Sequence, residues 1–188
     1  GRKNPYTGIH DRAENWRQDL GKSTSRTASV GKVGSWEPIG LTRTSSSSKS
    51  SSSLLGEVNV KRDYLPYSAK GRTRKGMSPR YITIHSTQNW SRGADANRHA
   101  LALKRGALGR LSWHYTVDED RAVQHLPTTE QGNHADYDGP GNRYSIGIEM
   151  CEHPGNSRTD TVNRTAKLAA WLMVKHNLSI SRVVPHYK

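Results

Sequence analysis

The 188-residue chain has no phenylalanine and a single cysteine, and its acidic residues number 16 against 29 lysines and arginines. Each shortage excludes something. With only Cys151 there is no intrachain disulfide framework, so the fold must close on a hydrophobic core. No apolar run is long enough to span a bilayer. Hydrophobic residues make up 32% of the chain and mean hydropathy is −0.87, too little for packing throughout its length. The core therefore has to be concentrated in part of the chain. The formal net charge of +13 favours polyanionic surroundings: nucleic acid, anionic membrane or an anion-bearing cell wall. Gly1 opens a polar stretch with no signal-peptide core, the pattern of a mature form or a fragment.

Residues 1–56 show little periodicity, with Trp16 and Trp36 isolated among Arg, Ser, Thr and Gly. The run Thr44–Ser53 is low-complexity and reads as a flexible linker, which makes 1–56 an N-terminal arm that the remainder does not need in order to fold. From Gly56 to Arg80 the chain is basic, with Tyr64 and Tyr67 interleaved. No helix-turn-helix, finger or RNA-binding pattern accompanies the charge, so this stretch reads as a solvated, anion-attracting approach rather than a specific nucleic-acid surface.

Patterning begins at Tyr81-Ile82-Thr83-Ile84-His85, a strand with a histidine at its C-terminal end. Gly93–Arg105 has helical spacing, and Ser112–Asp118 with Ala122–Leu126 reads as a hairpin turning at Glu119-Asp120. Pro127–Gly141 is a Gly- and Asp-rich loop. Ser145–Met150 is a second strand, carrying Glu149 on its polar face. A long helix runs over 159–176 with Asn177 as its cap, and Val183-Val184-Pro185 delivers His186. Strands alternating with helices predict an α/β domain over 57–188, with a single mixed sheet flanked by helices.

Two histidines and a carboxylate at strand ends are the residue types of metal-assisted hydrolysis: imidazoles to hold zinc, a carboxylate to move protons. Spacing alone is weak support, because a lone strand-end His is more often a hydrogen-bonded residue and no His-Glu-x-x-His is present.

Four stretches in order sharpen it: Tyr-Ile-Thr-Ile-His-Ser-Thr at 81–87, Trp-His-Tyr-Thr-Val-Asp at 113–118, Gly-Asn-Arg-Tyr-Ser-Ile-Gly-Ile-Glu at 141–149, and Arg-Val-Val-Pro-His at 182–186. From Tyr81 onward the chain resembles the zinc-dependent N-acetylmuramoyl-L-alanine amidases, whose fold is shared with peptidoglycan recognition proteins and several phage endolysins. The resemblance implies Zn2+ held by His85 and His186, Glu149 as catalytic acid/base, and hydrolysis of the bond between N-acetylmuramic acid and L-alanine in peptidoglycan. It places His134, Asn142 and Arg143 beside the substrate groove, and leaves His114 to packing. The alternative is a peptidoglycan-binding module of the same fold without hydrolysis.

In the family a Lys-x-Cys or Lys-x-Asp pair follows the second histidine and supplies the third ligand. The chain is therefore expected to continue past Lys188; Cys151 is read as a buried strand residue and not as that ligand. The resemblance further implies a monomer acting on bacterial peptidoglycan, and the basic surface points to anionic cell-wall polymers as further partners. It also implies a secreted, periplasmic or wall-associated protein, or a phage lysin.

Overall fold

The computed structural model describes residues 5–26 and 50–186. Its centre is one mixed six-stranded sheet in the order β1-β4-β3-β5-β2-β6. The strands are β1 (Val60–Arg62), β2 (Tyr81–Ser86), β3 (Tyr115–Val117), β4 (Ala122–Gln124), β5 (Ser145–Met150) and β6 (Val183–Pro185). Only the β3–β4 hairpin is antiparallel. Parallel strands need helical crossovers that cover both faces, and β2 accordingly buries four consecutive residues, Ile82 to His85. Its neighbours β5 and β6 run parallel to it, so all three point their C-terminal ends the same way. The register sets His85 beside Glu149 and brings Pro185, the residue before His186, opposite Ile84.

Among the described residues, five helices surround the sheet: α1 (Pro5–Arg26), α2 (Ser51–Val58), α3 (Ala96–Lys104), α4 (Pro140–Tyr144) and α5 (Arg158–His176). Helix α3 starts three residues later than Gly93, because the Asp95 side chain accepts the Arg98 N–H and caps the helix there. Asp118, buried at the end of the Trp-His-Tyr-Thr-Val-Asp stretch, accepts the Ala96, Asp120 and Arg121 N–H groups, tying this helix to the hairpin turn. Helix α5 is capped by Ser157 at one end and by left-handed Asn177 at the other.

The structure departs from the expected N-terminal arm. Pro5–Arg26 is a helix that packs along α5 and touches the 3-10 turn Ile180–Arg182. Ile9, Ala13, Trp16 and Leu20 recur at spacings of four, three and four, one helical face. Ile9 and Ala13 enter the main core, while Leu20 joins Leu54 and Ala170 with Trp16 against them. Burying side chains of the Ile9 and Leu20 kind stabilises by roughly 1.5–3 kcal/mol each. The Ser-rich run is likewise not linker to its end. Ser50 Oγ accepts the Ser53 N–H, and Ser51–Ser53 form the first turn of α2, which buries Leu54 and Val58. Trp36 and Thr44–Lys49 lie outside the described residues. Because α1 and α2 cover it, α5 is buried around more than one stripe, including Thr161, Leu168, Ala170 and Leu172. No described helix is long and apolar enough to cross a membrane.

Candidate active site

A cleft of about 380 Å³ opens at the C-terminal ends of β2, β5 and β6. His85, Glu149, His186 and His134 all line it, so three strands and the 127–139 loop converge on one point. The His85 and His186 rings are 4.6 Å apart, with His186 N–H bonded to the Ile84 carbonyl 3.2 Å away. The far wall comes from α3 and its flanks: Asn89, Arg98, His99, Ala102, Leu108 and Leu111, with Trp113 beneath. The sequence reading missed Asn89, Arg98 and His99. Arg98 and Ala102, four apart on a helix, were the available signal that this face of α3 serves the cleft.

His134 sits more deeply than a groove-rim residue. Its Nε2 lies 3.2 Å from the Ser145 carbonyl, which only accepts, so the ring proton is on Nε2 and Nδ1 is an acceptor. His85 Nε2 is 2.9 Å from that Nδ1 and donates to it. Burial drives the His134 imidazole down to about 4, despite the Ser145 carbonyl favouring its charged form. Space for the ring comes from glycine: a Cβ at Gly147 would fall 2.8 Å from it, and one at Gly132 3.0 Å. His114, fully buried behind it, accepts the Gly147 N–H at Nδ1 and donates from Nε2 to the Glu130 carbonyl. Burial, aided by His134, holds it neutral at about 3. It is a packing residue, as expected.

Two expected substrate-binding residues are placed elsewhere. Asn142 is 1% exposed, and its side chain is consumed by the loop. Its Oδ1 accepts the His134 and Ala135 N–H groups, while its Nδ2 donates to the Tyr137 carbonyl and to Asn133. It holds the backbone of His134 in place and does not line the cleft. Arg143, on the last turn of α4, is exposed and also outside the lining. Cys151 packs with Ala96, Ala100 and Val123, away from the cleft, and burial pushes its thiol pKa far up.

Under the cleft, Trp113 Nε1 donates to Thr116 Oγ1 at 2.6 Å, and that hydroxyl lies 2.6 Å from His125 Nε2. Burial holds His125 at about 3. The two imidazoles and the carboxylate at the mouth have the residue types of a zinc hydrolase site. Among the described residues, however, no group of three His, Cys, Asp or Glu side chains is placed to hold a metal.

An α/β sheet that gathers two histidines and a glutamate at the C-terminal ends of parallel strands has its candidate site where open α/β sheets bind their ligands. The family described as N-acetylmuramoyl-L-alanine amidase (Amidase_2) matches residues 75–188. The chain belongs to that family. It is 45% identical over 130 residues to N-acetylmuramoyl-L-alanine amidase XlyA of Bacillus subtilis (strain 168), covering 69% of this chain and 43% of the relative. To CwlH of the same organism it is 42% identical over 133 residues, covering 70% of this chain and 53% of the relative. The chain thus spans about half the length of these curated relatives. The solved catalytic domain of XlyA superposes with a TM-score of 0.66 at 44% identity, over 68% of this chain and 84% of that one.

Proposed function

We propose that the chain hydrolyses the amide joining the lactyl group of N-acetylmuramic acid to L-alanine in bacterial peptidoglycan. The observation that carries this reading is the convergence of His85, His186 and Glu149 in one cleft of an amidase-family domain. His85 and His186 would hold Zn2+, with a third ligand outside the described residues; bound there, the ion supplies a polarised carbonyl and a water of lowered pKa. Glu149, one strand away from His85, takes the proton of the attacking water on its carboxylate. It returns that proton to the alanine nitrogen as the C–N bond breaks, leaving a lactyl carboxylate and a free amine. His134 fixes the tautomer and ring orientation of His85 by accepting from its Nε2.

The reading carries a place of action outside the bacterial membrane, on the wall, by export or by delivery as a phage lysin. It carries anionic wall polymers as secondary partners of the +13 surface. Purified peptidoglycan incubated with protein and zinc tests it. Stem peptides with a new L-alanine amino terminus are the expected product. Retention on the wall without release would instead mark a binding module.

A further inference from the structure

Beside the cleft lies a second concavity of about 550 Å³, between the 68–75 loop and the 131–138 loop. The two share a wall: Leu111 and His134 line the cleft, while their chain neighbours Arg110 and Asn133 line the concavity. Its frame is rigidly hydrogen-bonded. Thr73 Oγ1 donates to the Gln131 carbonyl at 2.5 Å, and Gln131 N–H donates to the Lys75 carbonyl at 2.8 Å. Arg72, with 11% of its side chain exposed, forms a bidentate pair with Glu130 and a third bond to the Leu65 carbonyl. A Cβ at Gly71 would meet the Leu111 carbonyl at 3.0 Å, so this loop presses directly on the shared wall.

On that frame, Lys70, Arg74, Lys75 and Arg110 face a single lining carboxylate, Asp138, which is 4.0 Å from Lys75. Arg74 is held at φ 58, in the left-handed region that disfavours a side chain by about 1–2 kcal/mol. The fold thus tolerates strain at a position that presents a cation.

We propose that this concavity binds a phosphodiester-linked anionic polymer of the bacterial wall, an inference that rests on the wall-directed reading above. Repeating phosphates match a rigid row of ammonium and guanidinium groups, and the field of several like charges in a concave site concentrates them. The lining is mainly polar, with Ala69 and Tyr137 as its apolar members. Two exposed tyrosines adjoin the concavity, Tyr67 with Arg72 and Arg74 5.4 and 5.5 Å from its ring centroid and Tyr137 in the lining itself, so DNA is the competitor against which the polymer is tested below. Because the wall is shared with the cleft, a polymer attached to the glycan is held next to the bond being cut, and the two sites add their affinities.

The test uses the double charge reversal R74E/R110E and an equal-charge control, R92E/R105E, at exposed positions outside the concavity. Binding is measured to poly(glycerol phosphate) and to sacculi with and without their phosphodiester polymers. R74E/R110E is expected to bind the polymer and polymer-bearing sacculi roughly tenfold more weakly at low salt, with a shallower salt dependence. The control is expected to stay close to wild type, and both variants to release stem peptides from polymer-free sacculi at the wild-type rate. Equal losses in the two variants would reduce the effect to net charge and overturn the site. So would unchanged binding by R74E/R110E, or a preference for DNA over poly(glycerol phosphate) that the same two residues abolish. Failure of wild-type protein to release peptides from polymer-free sacculi would defeat the amidase reading alone, since polymer binding is measured separately.

Discussion

Both the β2–β5–β6 half of the sheet and the α1–α2 layer pack into the core built around α5, yet they tolerate change differently. The strands present side chains at fixed register to a cleft, where a displacement of an ångström alters chemistry. The two helices present apolar faces, Ile9, Ala13 and Leu20 from one and Leu54 and Val58 from the other, to a neighbouring helix, edged by polar contacts such as Arg12 with Asn163 and Glu57 with Lys167. The family match begins at residue 75, after both helices. Substitutions in the strands should therefore change rate more than stability, and changes in the helices the reverse.

The largest expected effect is on rate. Glu149→Gln keeps the shape but removes the base, and turnover should fall roughly 10²- to 10⁴-fold with bound zinc unchanged by metal analysis. Full activity would remove Glu149 from the reaction. Next is His134→Ala, which deletes the acceptor on His85; zinc affinity by competition with a chromogenic chelator should fall about 10- to 100-fold. Wild-type affinity in that variant would leave His134 as packing alone.

Deleting residues 1–26 should do the opposite. Removing α1 exposes apolar surface on α5, and the thermal midpoint should fall by on the order of 5–15 °C, while turnover at low temperature changes little. An unchanged midpoint would mean the helix adds no stability. The smallest effect is on pH. His114 and His125 are held at about 3, below the ordinary histidine value of 6.5. The unfolded chain therefore binds more protons than the folded one between those limits, and stability present above pH 6.5 is lost progressively as pH falls. Denaturation at pH 7 and pH 5 should show it, and a His114→Gln variant should flatten the difference.

Legibility in the sequence followed the same division. β2 and β5 could be read from alternation, and the register that puts His85 beside Glu149 follows from two equal six-residue strands running parallel. The short strands were less clear. The stretch 112–118 contracts to Tyr115–Val117, and Ser112 makes only a bridge to Asn133. The α1 helix was missed although Ile9-Ala13-Trp16-Leu20 has helical spacing, because a single apolar face of four residues is diluted by polar neighbours. Its docking place was written in α5 as the second facet at Ala170. Asn142 was misplaced for a different reason. A side chain with two donors and an acceptor suits a ligand and a buried loop equally well, and only the structure shows its bonds directed inward.

The position of β6 has a consequence for how the protein comes to be active. The strand pairs only with β2, through three residues, yet their sequence positions are about a hundred apart. Closing so long a loop costs entropy that little local contact offsets, so this edge is expected to join the sheet late in folding. During synthesis His85 emerges well before its partner, and the two imidazoles cannot meet until β6 has left the ribosome. A nascent chain can thus fold much of its sheet while lacking half of its candidate metal-binding pair.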